Sequence, residues 1–474
     1  MPFRTLLTIL GTVALIWGIH FVPQLEWVKG PDIATLERIV GIEPAAKPEA
    51  TVEVPADKRP PVEIVVPEPP PVKLPTENPE VPSGPITTPT VKAPDIPTGP
   101  PTSVLDATGQ MHSFYEALSR TQAKQPGAIT RVLHYGDSPV TADSITADAR
   151  ALLQAQFGDA GHGFVLLAKP WTWYTHRGVD ISGSGWKVET ASTAPRARDN
   201  LHGFGGVSIT GTPGSVSKIT LPDVHHTKVE VLFYRQPGGG EFRIDAGTEN
   251  LATVSTAGDD KGSGYVSAAL PVGTSQVKLT VTKGTVRLFG IQFEKPGPGV
   301  IYDSLGLNGA SIQHLFRYID TAQWNEQLQH ENPDLIIVNY GTNESVYPKY
   351  VDGLYTTELK QVLGRLHAAA PKSSILIMSP MDRGERTQGV IKTLPIMSKI
   401  VDLQQQVALE SGCAFFNTFQ AMGGEGTMAR WYDNKPRLVN SDYTHPFPGG
   451  AAVIGGLLDH ALVEGYEKWK GHRQ

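Results

Sequence analysis

The sequence predicts an α/β fold in which a parallel sheet lies between two layers of helices and is interrupted by an antiparallel β-sandwich. Continuous apolar runs at 129–135, 334–340 and 374–380 alternate with stretches of helical spacing. This pattern is typical of parallel strands that helices cover on both faces. Residues 162–298 instead show short alternating runs between Gly, Ser and Thr, which indicates antiparallel strands. We therefore expect two kinds of sheet in one chain.

The N-terminal segment, residues 1–24, is predicted to be a membrane anchor. Arg4 precedes a nearly uncharged stretch that approaches the roughly 20 residues a membrane-spanning helix needs. The alternative, a cleaved signal peptide, usually has a shorter apolar core and a small-x-small site, and no such site follows Trp17. Residues 25–43 are predicted to be a juxtamembrane segment. We expect the chain from there onward to lie in the periplasm or outside the cell. It would be tethered to the inner membrane by the anchor or, in the alternative, secreted after cleavage.

Residues 44–104 are predicted to be a proline-rich linker. The stretch from 44 to 101 contains 18 prolines among 58 residues. Such a composition cannot build a core and favours extended, polyproline-like chain. At about 3.1 Å per residue its upper reach is roughly 180 Å, so it can carry a folded domain well away from a membrane.

The α/β domain is predicted to begin with residues 105–161. Helical spacing covers 109–123, a buried strand covers 129–135 and a second helix covers 143–157. Ser138 therefore falls in a turn between a strand and a helix. In such a turn its hydroxyl is presented at a helix N-terminus, where free backbone N–H groups attract negative charge.

Residues 162–298 are predicted to form an inserted β-sandwich of the jelly-roll kind. Its clearest alternating runs are 218–222, 228–234, 241–246, 276–281 and 285–293. Period-2 alternation broken by Gly and Asp clusters is typical of such sandwiches.

The α/β pattern resumes over 299–474. The predicted helices cover 310–324, 356–370, 396–411 and 448–469, and further strands cover 334–340, 374–380 and 413–417. The carboxyl ends of parallel strands converge on one crevice. We therefore expect polar residues that directly follow these strands to lie close together.

Three short motifs supply the residue types that nucleophilic catalysis requires. They are YGDSPVTAD at 135–143, YGTNES at 340–345 and DYTH at 442–445. An activated serine needs a base within hydrogen-bond reach, and the base needs a group that orients it. Taken alone, GDS is often only a turn and DYTH only a surface loop. Together, and following predicted strands, they favour a serine nucleophile.

These motifs resemble the conserved blocks of the SGNH (GDSL-like) hydrolases. The matching residues are Gly136-Asp137-Ser138 in the first block, Gly309 in GLNGAS in the second, Asn343 in the third and Asp442-Tyr443-Thr444-His445 in the last. Pro139 departs from the family, which often has Leu or His there, and Glu344 stands where many members have Asp. The resemblance covers roughly 105–160 and 300–470, and it implies the three-layer SGNH fold.

The resemblance also implies a mechanism. Ser138 would attack an ester carbonyl, His445 would take and return the proton, and Asp442 would orient the imidazole. The amide of Asn343 and the backbone N–H groups of Gly309 and Ser138 would bind the developing oxyanion.

The opening block and the GTNE string resemble most closely the branch that acts on O-acetyl groups of peptidoglycan and exopolysaccharides. We therefore expect a serine esterase that removes O-acetyl groups from a cell-envelope glycan. An O-acyltransferase that moves acetyl to a polysaccharide hydroxyl would use the same residues and is the alternative. A third hypothesis is a non-catalytic glycan-binding assembly protein. By analogy with modules of glycan-active enzymes, we expect the β-sandwich to bind carbohydrate.

The string WTWYTH at 171–176 offers a surface for the substrate. Trp171, Trp173 and Tyr174 can form an apolar platform for sugar rings, since aromatic faces give large contact areas. Packing in the core is the alternative for these three side chains.

Composition excludes several other classes. The formal net charge of −6 gives no basic surface, so a nucleic-acid partner is not expected. The sole cysteine, Cys413, lies in the apolar string CAFF and is expected to be a buried structural thiol. The His225-His226 pair has only Asp223 nearby, which is too few ligands for a metal site. We predict no metal and no cofactor, and the sequence identifies no protein partner.

Overall fold

The computed structural model describes residues 103–472, which belong to one compact unit of the chain. In chain order the strands are β1 (Ile129–Gly136), β2 (Gly163–Val165), β3 (Asp180–Ser184), β4 (Lys187–Thr190), β5 (Val207–Gly211), β6 (Val216–Thr220), β7 (Lys228–Arg235), β8 (Glu241–Ala246), β9 (Glu249–Ser255), β10 (Gly262–Ala269), β11 (Gln276–Lys283), β12 (Val286–Glu294), β13 (Gly299–Gly306), β14 (Leu335–Asn339), β15 (Ser374–Met378), β16 (Gly384–Thr387), β17 (Val390–Thr393) and β18 (Ala414–Phe416).

The helices surround these strands. In chain order they are α1 (His112–Gln122), α2 (Ser138–Thr141), α3 (Ile145–Phe157), α4 (Ile312–Arg317), α5 (Thr321–Glu331), α6 (Pro348–Gly353), α7 (Tyr355–Ala369), α8 (Ile396–Glu410), α9 (Thr418–Ala421), α10 (Thr427–Asp433) and α11 (Pro448–Gly471).

A five-stranded parallel sheet forms the centre of the α/β part, in the order β13-β1-β14-β15-β18. Its strands are apolar along nearly their whole length because both faces are buried. Successive residues point to opposite faces. Val132 packs with α1, α3 and α11 on one face, and Leu133 packs with α5, α7 and α8 on the other.

Two antiparallel sheets form the β-sandwich. One has the order β10-β7-β12-β5-β4 with β2 beside β12, and the other has the order β3-β6-β11-β8-β9. Their inner faces meet in one apolar core, in which the rings of Phe233 and Phe242 lie 5.8 Å apart. This core is continuous with that of one helical layer. The predicted fold class, a helix-covered parallel sheet with an added antiparallel sandwich, is confirmed.

Most predicted elements lie within two or three residues of the observed ones, but several features differ. The helix expected over 310–324 is two helices, α4 and α5, because the chain turns at Asp320, whose carboxylate accepts the N–H of Gln323 to cap α5. Strand β13 and the hairpin β16–β17 were not expected from the sequence.

The predicted membrane anchor at 1–24, the segment 25–43 and the linker up to residue 102 lie outside the described residues, so these assignments stay predictions. Among residues 103–472, no helix is long and apolar enough to cross a membrane.

Candidate active site

The sheet register brings the predicted motifs to one edge. Gly136, the last residue of β1, is paired with Gly306 at the end of β13 and with Asn339 at the end of β14. Ser138, Gly309 and Asn343 follow these three strand ends within a few residues. Ser138, Gly309 and Asn343 therefore leave the sheet side by side, at the carboxyl edge where ligands bind in such sheets.

Ser138 begins the short helix α2, and the turn is packed directly against β13. A Cβ atom on Gly306 would lie 2.0 Å from the backbone nitrogen of Thr141, so only glycine fits there. Ser138 itself is 9% exposed. The neighbouring Asp137 is buried, and this burial raises its pKa to about 7, which fits a structural role in the turn.

Ser138, His445 and Asp442 form a chain of two short hydrogen bonds. Ser138 Oγ lies 2.7 Å from His445 Nε2, and His445 Nδ1 lies 2.6 Å from Asp442 Oδ2. These are the distances expected between a nucleophile, its base and the group that orients the base. The sequence-predicted trio is therefore brought together across 307 residues of chain.

The Asp442 carboxylate is further fixed by its own backbone. Its Oδ1 accepts the N–H groups of Thr444 and His445, each at 3.0 Å. Partial burial acts to raise the pKa of Asp442, but the hydrogen bonds from His445 and Thr444 outweigh it and hold that pKa below its usual range. Asp442 therefore stays ionised as a partner for the imidazole at neutral pH.

The β16–β17 hairpin supports the loop that carries Asp442 and His445. Arg386 Nε donates to Tyr443 Oη at 2.8 Å, and Gly384 N donates to the Tyr443 carbonyl at 2.9 Å. Tyr443 has a positive φ of 53°, a strained conformation for a side chain of its size. The sequence offered only a weak signal for this hairpin, the Gln388-Gly389 turn between two short runs.

Asn343 and Gly309 lie on adjoining loops. Asn343 Nδ2 donates to the Ala310 carbonyl at 2.7 Å, which holds the amide next to the glycine loop. Gly309 has a φ of 66° with open space around it, so its backbone is accessible from the cleft. The two predicted oxyanion residues are thus neighbours.

Glu344 links these two loops and is a residue whose role sequence reasoning missed. Its side chain is fully buried. One carboxylate oxygen accepts Ile312 N–H at 2.8 Å and the other accepts Gly341 N–H at 3.0 Å. Burial raises the pKa of Glu344 to about 7. The glutamate therefore sets the position of the Gly309 loop relative to Asn343.

A loop of the β-sandwich packs on the nucleophile turn. Thr175 Oγ1 donates to the Ala142 carbonyl at 3.1 Å, and Arg177 N donates to Asp143 Oδ2 at 3.0 Å. Asp143 is also paired with the buried Arg150, whose Nη2 lies 2.6 Å away. The sandwich thus contributes directly to the wall of the site.

The predicted aromatic platform is only partly present. Trp171 and Trp173 are stacked, with ring centroids 6.0 Å apart. Trp173 is 47% exposed and lines a cleft of about 370 Å³ together with Ser138 and His445. Tyr174 is 4% exposed and belongs to the hydrophobic core. Including Tyr174 in the platform was wrong, because its ring faces the interior.

One group of residues has ligand types suited to a metal. Potential ligand atoms of Asp143, His162 and His176 lie within 4.8 Å of one another. Both oxygens of Asp143, however, accept hydrogen bonds from Arg150, at 3.1 and 2.6 Å. The guanidinium already neutralises the carboxylate, so we assign this cluster a structural role. His225 pairs with Asp223 at the surface, 2.8 Å away.

The fold and the arrangement of Ser138, His445 and Asp442 resemble those of SGNH-type hydrolases. The sequence model of the GDSL-like lipase/acylhydrolase family matches residues 277–453. This span contains Gly309, Asn343, Asp442 and His445, whereas Ser138 precedes it. Most of this span lies in the α/β part of the chain, and the predicted family resemblance and ester hydrolase class are confirmed.

One solved structure supports this fold, and two further matches are more distant. A peptidoglycan O-acetylesterase is similar, with a TM-score of 0.64 and 22% identity over 77% of this chain and 98% of that chain. A Bacillus subtilis protein matches 60% of this chain and 90% of its own at 12% identity and a TM-score of 0.30. An acetylxylan esterase from Geobacillus stearothermophilus matches 35% of this chain and 73% of its own, at 18% identity and a TM-score of 0.26. No curated protein matches the chain.

Proposed function

We propose that this protein is a serine esterase that removes O-acetyl groups from a cell-envelope glycan, either peptidoglycan or an exopolysaccharide. The observation that carries the proposal is the hydrogen-bond chain from Ser138 Oγ to His445 Nε2 at 2.7 Å and from His445 Nδ1 to Asp442 at 2.6 Å. An imidazole held in this way can take the serine proton while the carboxylate stabilises the imidazolium.

The chemistry proceeds in two steps. Ser138 Oγ attacks the acetyl carbonyl as His445 takes its proton, and the oxyanion is stabilised by Asn343 and the backbone N–H groups of Gly309 and Ser138. The tetrahedral intermediate collapses, His445 returns the proton to the departing glycan oxygen, and the acetyl group stays on Ser138. Water, activated by the same imidazole, then releases acetate.

Hydrolysis is favoured over acetyl transfer by the exposure of the site. The side chains of His445 and Asp442 are 46% and 45% exposed. A transferase needs to keep water away from its acyl-enzyme, whereas here solvent reaches the imidazole that would activate it.

Two observations support a glycan as the substrate. The exposed ring of Trp173 borders the same cleft as Ser138 and His445, and aromatic faces suit the apolar faces of sugars. The similar structure of matching length is that of a peptidoglycan O-acetylesterase.

Acetate release tests this function. Full-length protein is incubated with O-acetylated peptidoglycan and, separately, with an O-acetylated exopolysaccharide, with and without an unacetylated acceptor. We expect free acetate from one polymer and none from S138A. The matched control is S182A, since Ser182 is an exposed serine of β3 that borders neither this cleft nor the larger one beside it; it should keep its activity. Acetyl appearing on the acceptor in place of free acetate would establish a transferase instead.

A further inference from the structure

A second and larger cleft adjoins the candidate active site. It has a volume of about 910 Å³ and is bordered by Gly309 and Asn343, the proposed oxyanion residues. Asn308, directly before Gly309, borders the smaller cleft that contains Ser138 and Trp173. The loop at 308–309 therefore borders both clefts, the smaller through Asn308 and the larger through Gly309.

The walls of the larger cleft combine an exposed aromatic ring with polar groups. Tyr347 is 63% exposed and Val346 beside it is 49% exposed, and both border the cleft together with Gln313 and Lys349. Large exposed apolar groups beside hydrogen-bonding groups are the usual chemistry of a ligand site. This combination suits a sugar ring, which has apolar faces and a rim of hydroxyl groups.

The segment that presents Tyr347 is held rigidly. Arg383 Nη1 donates to the Thr342 carbonyl at 2.7 Å and to Ser345 Oγ at 3.1 Å. Glu344 ties the same segment to the Gly309 loop through Ile312 N–H at 2.8 Å. Tyr347 N donates to the Glu344 carbonyl at 2.8 Å. A ring fixed in this way loses little entropy when a ligand binds against it.

The volume of the larger cleft exceeds what an acetyl group requires. At about 910 Å³ it lies near the upper end of the roughly 300–1,000 Å³ found for sites that enclose small organic ligands. The cleft is continuous with the oxyanion residues. A further part of the substrate that carries the reacting ester can therefore occupy this cleft.

We propose that the cleft bordered by Tyr347 is a second sugar subsite, so that a glycan chain crosses the reaction centre with one sugar beside Trp173 and another beside Tyr347. This inference rests on the proposed glycan esterase function and extends it. The enzyme then acts on acetyl groups within a polymer chain and prefers long chains to short ones.

Chain-length dependence tests the second subsite. The kcat/KM of full-length protein is measured for O-acetylated chito-oligosaccharides of two and of six sugars, and the ratio of the two values is compared among variants. We expect the wild type to favour the six-sugar substrate. Tyr347→Ala should lower the ratio of kcat/KM for the six-sugar substrate to kcat/KM for the two-sugar substrate about 10-fold. This change corresponds to about 1.4 kcal/mol of binding free energy. It should come mainly from a higher KM for the six-sugar substrate. Tyr347→Phe keeps the ring and should preserve the ratio.

Leu354→Ala is the matched control, because Leu354 is 54% exposed, lies seven residues further along the chain and is not among the residues bordering the cleft. It should leave the ratio and the turnover unchanged. An unchanged ratio in Tyr347→Ala would overturn the subsite, whether or not overall activity falls.

Two other results would differ from an unchanged ratio and would have different meanings. If the wild type prefers small esters with long acyl chains over acetyl esters, and Tyr347→Ala removes that preference, the cleft is an acyl pocket and the subsite is overturned. If the wild type turns over a small acetyl ester but no O-acetylated glycan, the proposed function itself fails, and the subsite with it.

Discussion

Replacing Glu344 with glutamine separates the positioning of the oxyanion loops from the chemistry of the nucleophile. The carboxylate accepts two backbone N–H groups, those of Ile312 at 2.8 Å and Gly341 at 3.0 Å, in a site with no solvent access. Glutamine has one carbonyl oxygen and can satisfy only one of them. Its NH₂ group then faces the other donor, and the two loops move apart.

The expected losses of stability and of kcat follow from the one N–H group that glutamine leaves without an acceptor. One buried N–H left without an acceptor costs about 1–3 kcal/mol of stability. If the Gly309 backbone leaves its place beside Asn343, one oxyanion donor is lost, which lowers kcat by about 10²–10³-fold. KM for a small acetyl ester should change less, because Trp173, which borders the cleft that contains Ser138, lies on a different segment of the chain.

The assay compares E344Q with E331Q, a matched control. Glu331 is also buried, and its burial likewise raises its pKa to about 7. It lies beside Arg131 near the opposite end of β1. Both variants should lower the thermal unfolding midpoint, but only E344Q should lower kcat for a small acetyl ester. Wild-type kcat in E344Q, or an equal loss in E331Q, would refute the reasoning.

Three further predictions concern the same region. Asp442→Asn should lower kcat about 10³–10⁴-fold by disturbing the orientation of His445. The thermal unfolding midpoint should change little, because both side chains are half exposed. A kcat within 10-fold of wild type in steady-state kinetics would contradict this prediction. Arg150→Met removes the guanidinium that pairs with the buried Asp143 carboxylate. The free energy of unfolding, measured in urea, should fall by about 3–5 kcal/mol. A fall of less than about 1 kcal/mol would argue against the ion pair. The pKa of Glu344 is raised to about 7 from an ordinary 4.5, so the folded state binds this proton more tightly than the unfolded state does. Proton binding by Glu344 therefore stabilises the fold below about pH 4.5, and this stabilisation is lost as pH rises through 7. The stability gap between wild type and E344Q should therefore shrink between about pH 5 and about pH 8, and a widening gap would contradict the assignment.

Local sequence patterns were sufficient for four of the five strands of the parallel sheet and for most of its helices. Strand β1 was predicted at 129–135 and is observed at Ile129–Gly136, and the helix predicted at 356–370 is observed at Tyr355–Ala369. The strand signal is a continuous apolar run and the helix signal is a helical spacing of apolar residues, and neighbouring residues alone reveal both. The strand ends then determine where Ser138 and Asn343 leave the sheet.

Contacts between distant segments could not be read in this way. The role of Glu344 depends on Ile312, 32 residues away, and the docking of Thr175 on Ala142 joins the sandwich to the nucleophile turn. Tyr174 follows Trp173 in the chain, but it faces the core while Trp173 faces solvent. Composition cannot distinguish the two rings, since the direction of each is set by tertiary packing.

The most direct test of the central claim is covalent labelling of the nucleophile. Full-length protein is treated with an organophosphonate that reacts with activated serines, and the labelled peptide is identified by mass spectrometry while small-ester activity is followed. We predict one label per chain on Ser138, loss of activity in proportion to labelling, and much slower labelling in His445→Ala, because the imidazole at 2.7 Å from Ser138 Oγ activates it. Inactivation with the label on another residue, or labelling of Ser138 at an undiminished rate in His445→Ala, would contradict the account.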